Sequence, residues 1–572
     1  MKKKTFLLTM ILLLILSSCS DSPANSQPDT PPDPDIESPE DEESGPLTKV
    51  PFSKGFNLSG WLNLEEQWFN ADAFNEKDFD ELKSLGCDVV RVPVNFPLNM
   101  GAAPEYKFTS NFLKALDNAI DMAERHDMFI IIDQHSYGSE FPSDKGEAII
   151  TEGFRQLAQR YVKRSDKIVF ELCNEPNGSF LQNEWPQMQR RLISAIREID
   201  KKHIIIATAF QCNADQLIAL PDYDDERLIY TFHFYDPFIF THQGASWSES
   251  PEKYIKNVPF PYDASRMPAM PPQFKGTDRE SSYIRYSTEG TENAVQEILQ
   301  RTQDWATKNG NLLFCGEFGA LENAPAQDRI NWYKTVCDKL SQLGIAWTAW
   351  QYRGDFDIFN GSPIFELNIN KDILRAMGLT IPAALEKDCP DIILYGDYRA
   401  SWLTPENEQK VYFDYKDHPY GDAGSCIRWD IPNANSLITL TAWPVINLKS
   451  YVEAGAKLEF AVRTQDPIQK LTVRFQQYKD GAPWQWRNIQ TITTSASVSD
   501  AVKFSNDGKW QIISIPLKDF YIYGTMGDWK EKPSGNDEGF AWDCINKIEF
   551  CADGNDAVAG KIIFFDEIAI RR

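Results

Sequence analysis

IVFELCNEPN, residues 168–177, decides how the chain is read. A mostly apolar run of strand formers passes into a carboxamide, a carboxylate and a proline. That pattern fits a strand buried on both faces, as in a parallel sheet, until its end opens to solvent. Pro176 has no N–H to continue a ladder, so the strand stops with Asn174 and Glu175 at its C-terminal mouth. In a barrel of alternating strands and helices, that mouth carries the chemistry. One carboxylate is not an enzyme, so the rest of the chain must supply what meets Glu175.

On either side, short β-rich runs alternate with amphipathic stretches. The candidate strands are GFNL (55–58), DVVRVP (88–93), MFIIID (128–133), IVFEL (168–172), HIIIAT (203–208), LIYTFHFY (228–235), LLFCGEF (312–318) and IAWTAW (345–350). Helical patterns cover Phe112–Arg125, Trp185–Lys201 and Gln327–Leu343, with a last one at Ile373–Leu385. This count of β-α units predicts a (β/α)8 TIM barrel over residues 48–387. An open doubly wound sheet would need a glycine-rich phosphate turn after its first strand, and none is present. The largest insertion, Asp236 to about Glu289, follows the sixth strand. It is either a wall of the cleft or a decorative loop.

From residue 388 to 572 helical periodicity gives way to short alternating strands: KLEFAVRT (457–464), LTVRFQQY (471–478), KWQIISIPL (509–517) and KIIFFDEIAI (561–570). An all-β jelly-roll sandwich is expected there. The chain's 572 residues suit two domains with tails. A net charge of −25 argues against nucleic acid, which calls for a basic face, and suits an exported protein acting on a neutral polymer.

Residues 1–18 read as a signal peptide: Lys2, Lys3 and Lys4, then an apolar run from Phe6 to Leu16. The run ends in Leu16-Ser17-Ser18-Cys19, which resembles a bacterial lipobox and implies acylation of Cys19. Acyl chains contribute about 0.8 kcal/mol per buried CH₂, so several on one residue anchor durably. Residues 19–47, rich in Asp, Glu, Pro and Ser, are expected to form a disordered tether. Together these imply an exported, membrane-anchored lipoprotein at the outer membrane or cell surface of a Gram-negative bacterium, expected to be monomeric. Nine further cysteines form no CxxC pair, so neither zinc nor a disulfide framework follows. Cys173 and Cys315 read as core fillers, while a Cys544–Cys551 bridge stays open.

The strand ends are polar or aromatic: Arg91, His135, Asn174 and Glu175, His233 and Tyr235, Glu317, Trp350. Two carboxylates facing across a cleft, without HExxH or a Ser-His pairing, suit glycoside cleavage through an oxocarbenium-like transition state. One must give a proton while the other is ionised, and their surroundings set the difference. Arg91 and the Tyr235 hydroxyl would favour the charged form of a carboxylate beside them. Trp350 offers a flat face for a sugar ring. Alternation along IVFEL puts Glu171 and Cys173 on the inward side with Glu175, so a buried Glu171 needs a partner, and Arg91 is the candidate.

The motif set GFNLSGW, VVRVPVNF, DQHS, FELCNEPN, YTFHFYDPF, CGEFGA and AWTAW resembles glycoside hydrolase family 5, the large clan A cellulase family, from about Phe52 to Leu385. The resemblance implies a retaining endo-β-glycanase with Glu175 as acid/base and Glu317 as nucleophile. It also implies that Arg91, His135, Asn174, His233, Tyr235 and Trp350 are supporting residues; with no HExxH or other metal-ligand spacing, no metal or other cofactor is expected. PFIFTHQGASW (237–247) resembles a subset of members described as endoglucanases, which favours β-1,4-glucan. Mannan, xyloglucan and β-1,3-glucan remain alternatives, because loops rather than the carboxylates choose the linkage. A surface glycan-binding lipoprotein with an inactive barrel is the rival outside enzymes.

WQIISIPLKDF (510–520) and IIFFDEIAI (562–570) resemble jelly-roll carbohydrate-binding modules. Trp484 and Trp486 would share a strand face and either stack on glycan or pack inside the sandwich. The module binds glycan or only braces the barrel. A structural calcium near Asp566 would be in keeping with such modules.

Overall fold

Eight strands follow the expected runs: β1 (Lys54–Asn57), β2 (Val89–Val94), β3 (Phe129–Gln134), β4 (Ile168–Glu171), β5 (Ile204–Asn213), β6 (Leu228–Phe234), β7 (Leu313–Phe318) and β8 (Ala346–Ala349). Each pairs in parallel with the next, and β8 returns to β1, with Gly55 opposite Thr348, so the sheet closes into a barrel. The structure is a computed structural model. It describes residues 45–64, 73–136, 144–177, 179–246, 251–406, 409–421, 424–478, 487–525, 528–531 and 540–572. Cys19, Trp484 and Trp486 lie outside the described residues.

The wrapping helices include α1 (Glu76–Ser84), α2 (Ser110–Arg125), α3 (Asp144–Tyr161), α4 (Ser179–Arg197), α5 (Asp278–Glu289), α6 (Glu292–Asn309), α7 (Ala326–Leu343) and α8 (Lys371–Ala376). Asn75 starts α1 with a reciprocal capping box to Asp78. α2 turns Phe112, Ala115, Leu116, Ala119 and Ile120 to the barrel at helical spacing. Among the described residues no helix is long and apolar enough to cross a membrane. The helix expected over Ile373–Leu385 is shorter: α8 ends at Ala376, Gly378 takes a left-handed φ of +66°, and a separate 3-10 turn spans Ala383–Glu386.

Alternation divides each strand between two cores. Val90, Ile130, Ile132, Phe170 and Ile205 point outward and pack among helix residues. Val89, Ile131, Val169, Ile204, Ile206, Ile229, Phe314 and Ala346 point inward and fill the lower barrel together with Phe52. Continuing the same parity upward places Asn57, Arg91, Asp133, Glu171, Thr231, His233 and Trp350 in the upper barrel. Phe240, Val258, Phe260 and Phe274 of the insertion after β6 join the outer core.

The C-terminal region holds β9 (Ile392–Tyr395), β10 (Leu403–Glu406), β11 (Val411–Tyr415), β12 (Cys426–Asp430), β13 (Leu437–Ile446), β14 (Lys457–Arg463) and β15 (Leu471–Gln477). It continues with β16 (Arg487–Thr493), β17 (Val502–Lys503), β18 (Gln511–Pro516), β19 (Tyr521–Thr525), β20 (Asp528–Glu531), β21 (Ile545–Cys551) and β22 (Ile562–Arg571). They form two mainly antiparallel sheets, β10-β13-β21-β15-β16-β19-β20 and β11-β12-β22-β14-β18, with β17 and β9 attached. The sheets face each other across a shared core, where Phe550 of one meets Phe460 at 5.2 Å and Phe565 at 4.5 Å of the other. No disulfide joins the described cysteines, and Cys544 and Cys551 are both buried thiols.

Candidate active site

Arg91 stands on the inward side of β2 and is completely buried. Its Nε donates to Glu171 Oε2 at 2.7 Å and its Nη2 to Glu171 Oε1 at 2.8 Å, a two-pronged pair. Nη1 donates to Asn57 Oδ1 at 2.7 Å and to Glu317 Oε1 at 2.8 Å, and Nη2 also donates to Asn174 Oδ1 at 2.8 Å. Asp133 Oδ2 lies 3.0 Å from Nη2. Every N–H of the fork is thereby committed. Burial works against the guanidinium's charge, but Asp133 and Glu171 overcome it and hold its pKa well above the ordinary value. Burial pushes the Asp133 carboxyl up to about 7 against the pull of Arg91. The same cause raises that of Glu171. The partner expected for Glu171 is the one observed.

Two departures from regular strand geometry bring the glutamates together. The ladder of β4 ends at Glu171; beyond it the Asn174 N–H bonds the Gln134 carbonyl at 2.9 Å, and both Asn174 and Glu175 reach the cleft. On β7 the inward parity runs through Phe314 and Gly316, which would turn Glu317 away. Instead the β6–β7 register shifts between Phe232–Cys315 and His233–Glu317, and this bulge carries Glu317 inward. Glycine suits the bulge because a Cβ on Gly316 would lie 2.8 Å from Thr231 Oγ1.

The two carboxyls end in different surroundings. The Glu317 side chain is 6% exposed, with Oε1 receiving the Arg91 bond and Oε2 a bond from the Tyr235 hydroxyl at 2.8 Å. Burial and Glu317 itself push the Tyr235 phenol far up, so it stays a donor. The Glu175 side chain is 35% exposed and faces the cleft, its Oε1 2.8 Å from His233 Nδ1. Burial raises the Glu175 pKa against the opposing influence of His135 and Arg91. A carboxylate oxygen of each glutamate and a ring nitrogen of His233 all lie within 4.8 Å of one another.

Burial pushes both His233 and His135 down to about 4, so each is a neutral imidazole near pH 7. His135 Nδ1 lies 2.6 Å from Asp133 Oδ2, and its ring stacks on Trp350 at 5.5 Å and 7°. The cleft has a volume of about 330 Å³. His242, Gln351, Asp355 and Phe356 complete its lining.

All eight residues nominated from the strand ends thus converge. Residues not nominated are Asn57, Asp133, His242, Gln351, Asp355 and Phe356. Asp133 could have been found, since it shares the inward parity of His135 two positions on. Gln351, Asp355 and Phe356 follow β8, where no periodic pattern reaches. His242 shows that the insertion after β6 supplies cleft wall.

Among the described residues, Glu175, His233 and Glu317 are the one group of three His, Cys, Asp or Glu side chains close enough to share an ion. Each is already engaged in a hydrogen bond, Glu317 through both oxygens, which suits proton transfer and nucleophilic attack. Asp566 accepts bonds from the N–H groups of Tyr420 and Glu567.

Residues 49–355, more than half of the chain, match the family model for cellulase, glycosyl hydrolase family 5. The chain belongs to that family. Residues 393–572 match carbohydrate binding domain 30. Endoglucanase C of Acetivibrio thermocellus is 29% identical over 336 residues, 54% of this chain and 94% of that protein. Endoglucanase 3 of Fibrobacter succinogenes is 28% identical over 340 residues, 55% of this chain, and the chain spans about half, 51%, of that relative's length. A crystal structure of an endoglucanase from Thermotoga maritima is 26% identical, covering 57% of this chain and 96% of that one at a TM-score of 0.48. The family 5 barrel therefore carries a second module of a carbohydrate-binding type, and the chain is a glycoside hydrolase.

Because His233 is neutral well above pH 4, its hydrogen bond rather than its charge serves Glu175. His233→Gln, which keeps a neutral donor, is expected to lower kcat while leaving the shape of the pH–activity profile between pH 5 and 8 unaltered. A limb displaced by a whole unit would show that His233 titrates in that window.

Proposed function

We propose that the cleft hydrolyses β-1,4-glucan internally, by double displacement with retention at the anomeric carbon. The observation that carries this reading is the close pair of unlike carboxyls, Glu317 sunk beneath two donors and Glu175 open to the cleft with a raised pKa. Retaining glycosidases set their carboxyls about 5–5.5 Å apart, inverting ones about 6.5–9.5 Å. Oxygens within 4.8 Å of one another support the former.

Glu317 attacks the anomeric carbon, forming a glycosyl ester as the glycosidic C–O bond breaks. Glu175 gives its proton to the departing oxygen. Glu175, now ionised, takes a proton from water, whose oxygen attacks the same carbon and frees the Glu317 carboxylate. Arg91 and Tyr235 hold Glu317 in line, Asn174 meets the sugar's 2-hydroxyl, and Trp350, backed by His135, floors the subsite of the reacting sugar. The Glu175 pKa lies above the usual range, so it remains a donor at higher pH than an ordinary carboxyl would, and activity falls as pH rises through that value.

The names of the relatives, endoglucanase and cellodextrinase, support a glucan as the polymer, and mannan, xyloglucan and β-1,3-glucan stay as the alternatives. The division at about residue 387, into a barrel over 48–387 and a glycan-binding sandwich over 388–572, belongs to the same proposal. So does export of a monomer, without a metal cofactor, anchored by acyl chains on Cys19 beyond the tether 19–47. The basic start, short apolar run and Leu16-Ser17-Ser18-Cys19 support that anchoring.

Reducing ends released from a cellulose derivative, mixed-linkage glucan, xyloglucan and mannan test the substrate, with the first two expected to be cut fastest. Faster cleavage of mannan would reassign the polysaccharide and leave the chemistry standing. Glu317→Gln is expected to lower turnover by roughly 10⁴-fold or more with the fold intact, and appreciable residual activity would refute its role. Metabolic labelling with a fatty-acid analogue should mark the full-length protein and be lost in Cys19→Ala; persistent labelling would exclude Cys19 as the anchor.

A further inference from the structure

The segment after β8 touches both the cleft and the C-terminal region. Trp350, Gln351, Asp355 and Phe356 line the cleft. Between them, Tyr352 and Arg353 turn toward α1. Tyr352 is fully buried, and its hydroxyl donates to Glu81 Oε2 at 2.6 Å. Arg353 lies over the rings of Phe74 at 5.3 Å and Tyr352 at 5.2 Å. Its Nη1 donates to the Ala73 carbonyl at 3.2 Å and its Nη2 to Asp78 Oδ1.

Asp78 is completely buried in the first turn of α1, and its Oδ2 accepts the Asn75 N–H at 2.8 Å. A further donor arrives from the second module. Ser401, just before β10, donates its hydroxyl to Asp78 Oδ1 at 2.9 Å and accepts from Arg353 Nη2 at 2.7 Å. Two residues earlier, the Arg399 carbonyl accepts from the Nδ2 of Asn75, the α1 cap, at 2.8 Å. Both residues lie within the stretch that matches carbohydrate binding domain 30, outside the family 5 match. One hydroxyl therefore closes a triangle between the barrel's first helix and the loop that carries Trp350.

We propose that Ser401 is a positioning residue for the hydrolase: by locking Arg353 to Asp78 it fixes the loop that presents Trp350 beneath the reacting sugar. The second module thereby completes the active-site rim, apart from any glycan it captures itself. A buried carboxylate deprived of a donor draws its remaining partners toward it. Arg353 is one of those partners and stands three residues from Trp350 in the same loop. A misplacement of about 1 Å at such a distance from the chemistry can cost on the order of a hundredfold in rate. This inference rests on the cleft between Glu175 and Glu317 being the hydrolytic site.

The test uses the full-length protein with cellopentaose, a soluble substrate that needs no capture by the module. Wild type, Ser401→Ala and Ser401→Thr are compared for kcat and KM well below the Tm of each. Loss of the hydroxyl is expected to lower kcat about five- to tenfold with a smaller change in KM, and Ser401→Thr to recover most of it. A kcat for Ser401→Ala within twofold of wild type would overturn the proposal, as would a loss seen only on insoluble polysaccharide. If the alanine variant does not fold, Ser401→Cys, of similar size and weaker hydrogen bonding, carries the same comparison. Wild-type protein with no turnover of any β-glucan, xyloglucan or mannan would overturn the hydrolase reading and this proposal together.

Discussion

A guanidinium sealed inside a barrel is tolerable only if its charge and all its N–H groups are met, and Arg91 satisfies that condition with residues from four other strands or strand ends. Asn57, Asp133, Glu171, Asn174 and Glu317 are fixed relative to one another because each holds part of the same planar fork. Truncating one partner of a buried ionic cluster typically costs about 3–5 kcal/mol, since the others are left uncompensated. Glu317 is therefore positioned by an interaction the fold already depends on. Three acids around one base also leave excess negative charge, which burial relieves by raising the Asp133 and Glu171 carboxyls.

The two glutamates differ through placement alone. Glu317 sits beneath two donors, while Glu175, past the end of its strand, meets a neutral imidazole and faces the open cleft. That asymmetry is what acid and nucleophile roles require of two chemically identical groups. The second module contributes through contact as well as composition: its Arg399–Ser401 stretch reaches the cap of α1 and the loop beyond β8.

Much of this was legible from residue order. The barrel strands announce themselves as apolar runs ending in a polar or aromatic residue, and the pairing of Glu171 with Arg91 follows from period-two alternation and the cost of a buried carboxylate. The route of Glu317 into the barrel was not legible. Strict alternation in LLFCGEF turns it outward, and only the register shift at Gly316 reverses that. Gln351, Asp355, Phe356 and the Ser401 contact depend on where loops fold back, which local pattern does not encode. The helix expected through Leu385 failed for a local reason, a left-handed Gly378 that stops α8 early.

In the proposed double displacement Glu317 forms a covalent ester and Glu175 serves both halves of the reaction. The anomeric configuration of the first product, followed by proton NMR from the earliest turnovers on cellopentaose before mutarotation, tests it most directly. The β-anomer is expected to appear first. Initial release of the α-anomer would mean single displacement by water and would contradict the assignment of Glu317 as nucleophile.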